Sequence, residues 1–176
     1  MGVPHAPEKA LLFVAALFSL REKFSAVLPL MEERFGKALL VSPEIAWNHS
    51  HYYEEELGKP IIRQFIFFPG FFDPLSLPDV KLETNTIETS YRGNGRRSIN
   101  LDPGYLMRSR VVLASSKDYS HRIYLGKGIY GEVALYYKGN RYNPFPYTYY
   151  DYKDPLCLSI FEAAREGLKR LLREVR

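Results

Sequence analysis

The first apolar stretch, over residues 9–17, is continuous rather than alternating, and this reads as a central strand buried on both faces. Ser19 and Glu22 stand at capping-box spacing. Leu20, Phe24, Val27, Leu28, Met31 and Phe35 then recur at helical spacing up to a stop at Gly36. Pro29 falls inside that helix, where it removes a backbone bond and costs roughly 3 kcal/mol or a kink. The apolar stripe nevertheless runs through it. A second strand is expected over 39–45. A polar and aromatic segment over 49–57 ends at Gly58, and a third strand over 61–68 is closed by Pro69-Gly70. Ser76 and Asp79 then open a second helix with Val80, Thr84, Ile87 and Tyr91 on one face, ended by the Arg92-Gly93-Asn94-Gly95 turn. A short strand over 98–101 is expected to stop at Asp102-Pro103-Gly104. The order strand, helix, strand, strand, helix, strand predicts an α+β chain with a ferredoxin-like split βαβ core.

Beyond that core, residues 108–114 fit either a strand or a helix. Residues 122–125 and 129–137 flank Gly126-Lys127-Gly128 and predict an additional β-hairpin, with Gly128 in the left-handed position of a three-residue loop. This register pairs Leu125 with Ile129, Ile123 with Gly131 and His121 with Val133 on one face. On the other it pairs Tyr124 with Tyr130 and Arg122 with Glu132. Lys138-Gly139-Asn140-Arg141 reads as a tight turn and 143–153 as a Pro- and Tyr-rich loop. Asp154 and Pro155 suit the N-cap and first position of a C-terminal helix whose stripe is Ile160, Ala164, Leu168, Leu171 and Val175.

Length and composition fit this picture. The 176 residues suggest one domain over 1–176, with 1–7 as a disordered lead-in. With 46% hydrophobic and 25% charged residues, a sizeable core can be buried. Cys157 is the single cysteine, which excludes an intrachain disulfide and fits a reducing, cytoplasmic setting. The apolar stretch over 10–20 is too short to span a bilayer, so no membrane association is expected.

Charge changes the picture more. The net charge is +4, but residues 92–127 hold Arg92, Arg96, Arg97, Arg108, Arg110, Lys117, Arg122 and Lys127 against only Asp102 and Asp118. The rest of the chain is therefore slightly acidic. A local basic field favours an anionic partner, although a solvated basic face with structural ion pairs is the plainer account.

No strong catalytic motif is present. Gly93-Asn94-Gly95-Arg96-Arg97-Ser98 lacks the spacing and the Lys-Ser/Thr ending of a phosphate loop. Gly126, Gly128 and Gly131 mimic a dinucleotide fingerprint but fall in a hairpin. His49 and His51, with Glu54 and Glu56 nearby, would put two rings on one side of an extended segment. Without a third spaced ligand they read as a surface loop, and no metal site is assigned.

The stronger constellation runs from Arg96 to Glu132. Arg96, Arg97, Lys117 and Arg122, with the phenol of Tyr105 and hydroxyls at Ser115, Ser116 and Ser120, form the mixed donor set that a phosphate or carboxylate needs. Asp102, His121 and Glu132 are the candidates for acid–base work or for binding a divalent metal. Arg122–Glu132 also reads as a structural cross-strand pair and His121 as a satisfied histidine. The tyrosines over 136–152 could stack a ligand ring or cover a sheet face.

Three stretches carry a family resemblance. They are Tyr52-Tyr53-Glu54-Glu55-Glu56-Leu57-Gly58, Asn100-Leu101-Asp102-Pro103-Gly104-Tyr105-Leu106, and the segment from Lys117 through Tyr130. They resemble the signature stretches of the prokaryotic domain-of-unknown-function family 4416 over nearly the whole chain. That resemblance implies family features and no activity. The reading that follows is an enzyme or binding protein for a small anionic, phosphorylated or nucleotide-like ligand. The alternative is an RNA-binding module using the basic segment and the Tyr-rich loop. The residues imply no particular cofactor or oligomeric state.

Overall fold

The computed structural model describes residues 2–49, 53–93 and 96–174. Nine strands, β1 Leu11–Phe18, β2 Leu40–Val41, β3 Ile45–Ala46, β4 Ile62–Phe67, β5 Ile99–Leu106, β6 Arg110–Ser115, β7 Ile123–Gly126, β8 Ile129–Lys138 and β9 Arg141–Pro144, form one antiparallel sheet. Its order is β2-β4-β1-β5-β6-β8-β7, with β3 beside β4 and β9 beside β8. The helices are α1 Arg21–Phe35, the single turn α2 Glu54–Leu57, α3 Leu77–Ser90 and α4 Pro155–Glu174.

The continuous apolar run of β1 is explained by burial on both sides. Leu12, Val14, Ala16 and Phe18 pack with Phe24, Val27 and Met31 of α1 and Val80 of α3. Leu11, Phe13 and Ala15 pack with Cys157, Ile160, Phe161, Ala164 and Leu168 of α4. The sheet therefore lies between α1 and α3 on one face and α4 on the other. Asp154 Oδ1 accepts from the Leu156 amide at 2.8 Å, so α4 starts on its expected cap.

The α+β class and the C-terminal helix agree with the sequence reading, but the sheet is larger than a four-strand core plus a hairpin. The ambiguous segment at 108–114 is strand β6, and part of the expected Tyr-rich loop is strand β9. The expected second strand divides into β2 and β3, both pairing with β4.

Neither capping box forms. Helix α1 begins after Leu20, and the Ser19 hydroxyl donates instead to the Leu57 carbonyl. Ser76 ends a 3-10 turn over Pro74–Ser76, in helical rather than extended geometry, and makes no side-chain cap. The hairpin keeps its expected pairs Ile123↔Gly131 and Tyr124↔Tyr130, but Gly126 rather than Leu125 faces Ile129. Lys127 (φ 56°) and Gly128 (φ 75°) form a two-residue loop, and Leu125 is bulged out. Ile123, Tyr124 and Leu125 are all exposed, so no buried face enforces the alternation that would favour the longer loop.

The expected stop at Asp102-Pro103-Gly104 does not occur, and β5 runs through it. The Leu101 amide and carbonyl point away from β1, and Pro103 shares that parity. Its missing N–H therefore removes no bond to β1, and pairing with β6 begins only at Gly104. Among the described residues, β5 over 99–103 has β1 on one side and no strand on the other, and that opening positions the site.

Candidate functional site

The unpaired edge of β5 is satisfied by side chains from α3. Lys81 Nζ donates to the Leu101 carbonyl at 3.0 Å, and Glu88 Oε1 accepts from the Leu101 amide at 2.6 Å. Lys81 also meets Asp102 Oδ1 at 3.1 Å, while Asn100 Nδ2 donates to Asp102 Oδ2 at 2.6 Å. Burial pushes the Asp102 carboxyl up, but the charges of Lys81 and Arg63 and the bonds from Lys81 and Asn100 outweigh it and hold it below the ordinary value. Burial also raises the Glu88 carboxyl.

Cross-strand partners share a face, so Arg63, Leu17 and Asn100 lie side by side on the α4 face of the sheet. Asp102 and Glu132 lie on that same face through the Ala15 and Leu113 registers. Beside the N-terminus of α4, the 3-10 turn Tyr150–Lys153 and the side chains of Trp47, His49 and Tyr53 stand over this floor and leave a cleft of about 470 Å³. Five basic side chains (Arg63, Lys81, Arg97, Lys117, Arg122) line it against three carboxylates (Asp102, Glu132, Asp151). Trp47, Tyr53, Tyr149, Tyr150 and Tyr152 add aromatic wall.

Two arginines are knots in that wall. Arg97 donates to both Glu56 oxygens, at 2.6 and 2.7 Å, and its Nη1 reaches Glu88 and Asn100. Arg122 donates from Nε to Glu132 Oε2 at 2.7 Å, from Nη1 to Ser115 Oγ and the Lys117 carbonyl, and from Nη2 to the Tyr149 hydroxyl. Arg63, whose side chain is 6% exposed, directs Nε and Nη2 at the single oxygen Asp151 Oδ2, 3.0 and 2.9 Å away.

Among the described residues, the buried side-chain polar atoms without a hydrogen-bond partner are Trp47 Nε1, Arg63 Nη1, Glu132 Oε1, Asp151 Oδ1 and the Tyr152 hydroxyl. All five belong to residues that line this one cleft. Buried polar groups are almost always paired with protein or water, so five such atoms on the lining of one cleft single it out as the candidate site.

Of the residues singled out from sequence, Arg97, Asp102, Lys117, Arg122 and Glu132 are brought together here. His121 stands behind Glu132, its Nε2 3.1 Å from Oε2, with its ring stacked 4.4 Å from that of Tyr147. It reaches the cleft only through Glu132. Arg96 lies outside, exposed, donating to the Glu55 carbonyl at 3.1 Å. Tyr105 faces the other side of the sheet and packs with Phe72 and Leu77. His51 of the paired-histidine reading lies outside the described residues, and among those described no group of three or more metal-ligating side chains converges. No helix among them is long and apolar enough to cross a membrane.

Sequence reasoning missed Arg63, Lys81, Asn100 and Asp151. The available signal for Arg63 was an arginine inside the apolar run 61–68, where a charge is buried only with a partner. Lys81 and Asp151 carry no comparable signal.

A family model described as a domain of unknown function (DUF4416) matches residues 8–167. No curated protein and no solved structure matches the chain.

Proposed function

We propose that the chain, which belongs to the DUF4416 family, binds a small anionic ligand, phosphorylated or nucleotide-like, in the cleft on the α4 face of its sheet. The observation that carries this reading is the convergence of five basic side chains on the cleft whose lining residues also hold every described buried side-chain polar atom lacking a partner. Lys81 and Lys117 supply point charges, Ser115 and Ser116 neutral donors, and Arg63 Nη1 an unpartnered N–H for a neutral acceptor of the ligand. Arg97 and Arg122 shape the walls, because most of their N–H groups are taken by protein acceptors. Asp102 and Glu132 are the groups for any acid–base chemistry, with His121 acting on Glu132 from behind. We read the β2-β4-β1-β5 half of the sheet, with α1 and α3 on one face, as the split βαβ core. The strands from β6 onward are then the addition that creates the cleft.

The test is a thermal-shift series with inorganic phosphate, sugar phosphates, nucleotides and small carboxylates. A saturable rise in melting temperature from a phosphorylated compound is expected. Lys117→Ala, in an exposed loop, should weaken that compound about tenfold. Absence of any shift across the series would refute the reading.

A further inference from the structure

The Arg63–Asp151 pair is lopsided. Where Arg97 meets Glu56, two N–H groups meet two oxygens. Arg63 instead sends both Nε and Nη2 to Asp151 Oδ2, so Nη1 and Oδ1 are left as a donor and an acceptor with no protein partner. Both side chains are 6% exposed. A bare anion would suit Nη1 but would be repelled by Oδ1 of its carboxylate partner. This part of the cleft therefore calls for a ligand group that presents an acceptor and a donor together. The indole of Trp47 lies 5.2 Å from the Arg63 guanidinium, and Tyr53 and Tyr149 stand in the same wall, which suits a flat ring.

Resting on the anion-binding reading above, we propose that Arg63 and Asp151 form the specificity element of the cleft, reading the hydrogen-bonding edge of a nucleobase, so that the ligand class is a mononucleotide. Base edges place acceptor and donor side by side, and enzymes that hold single bases read them through that edge between aromatic walls. The phosphate then falls to Lys81, Lys117 and the serines of the 115–116 segment.

Calorimetric titration with the four common ribonucleoside monophosphates, ribose phosphate and inorganic phosphate tests this. At least one nucleotide should bind roughly tenfold to a hundredfold more tightly than ribose phosphate, because the latter leaves the buried donor and acceptor unpaired. Asp151→Asn keeps an oxygen for Arg63 but puts an amide N–H₂ where Oδ1 stands, and should bring that nucleotide to within about threefold of ribose phosphate. The same nucleotide methylated on its base-pairing edge should lose its advantage on the unaltered protein, a readout that does not depend on the variant folding. If ribose phosphate binds as tightly as every nucleotide, or edge methylation changes nothing, the base-reading role is wrong while anion binding stands. If neither the nucleotides nor the phosphates bind, the anion-binding reading itself falls.

Discussion

Asp102 is held as an anion by the Lys81 ammonium, the Arg63 charge and the Asn100 amide, although burial opposes it. Its carboxyl titrates below the ordinary value of 3.8 in the folded chain. The unfolded chain thus binds more protons in that interval, and stability rises with pH there. The contribution is present above the ordinary carboxyl value and disappears as the pH falls through the depressed one. Urea unfolding of the wild type and Asp102→Asn at a series of pH values should show a gap of about 1–3 kcal/mol at neutrality that closes under acid. A gap that stays constant into acid would mean that Asp102 titrates as it does unfolded. At this scale the sequence was informative where chemistry is local. Glu132 was found from the Arg122 register, and Asp102 and Lys117 from the clustering of mixed donors. Arg63 and Asp151 are 88 positions apart, and only the fold makes them partners. Tyr105 was misplaced because the expected turn hid the alternation that sends it to the α1 and α3 face.

At the scale of elements, the cleft exists because β5 and β6 pair only over Gly104–Leu106 and then part. Gly104 leaves no room for a side chain between β6 and the ring of Phe13. A Cβ there would stand 2.4 Å from the Val112 carbonyl oxygen and 2.5 Å from Cζ of Phe13. Gly104→Ala should cost about 2–4 kcal/mol in denaturant unfolding, since backbone and a buried ring must both move. Gly131→Ala meets first the Leu125 side chain, at 2.9 Å, which is partly exposed and can swing away. It should cost less than about 1 kcal/mol, and equal costs would show that the β5–β6 approach is not the constraint. Dense apolar periodicity made β1, α1 and α4 legible, because their burial requires it. Strand β5 was cut short because Pro and Gly normally end a strand. Here the proline sits on the unpaired edge and the glycine at a close contact, and neither circumstance is visible without the neighbouring strands.

For the whole molecule, the charge asymmetry acquires an internal explanation. Arg97 meets Glu56 and Glu88, Arg108 meets Glu8, Arg122 meets Glu132, and Lys127 meets Asp79. Every one of these carboxylates lies outside 92–127, so four of the segment's eight basic side chains pair with the acidic remainder across the fold. Some of the aromatic residues are likewise occupied: Tyr119, His121, Tyr147, Phe145 and Tyr136 form one column with successive ring centroids 5.9, 4.4, 5.1 and 4.8 Å apart. A surface that binds single-stranded RNA needs unpaired cations along a groove and ring faces open to bases. With half of those cations and this aromatic column engaged internally, purified protein should carry no nucleic acid, read as a protein-like 260/280 absorbance ratio. Any RNA binding at low salt should fall steeply as salt is raised, whereas the thermal shift from a small ligand enclosed by Arg63, Lys81 and Asp151 should change little over the same range. Nucleic acid that survives purification at high salt would reverse that order and make the outer surface, rather than the cleft, the place where this chain meets its anion.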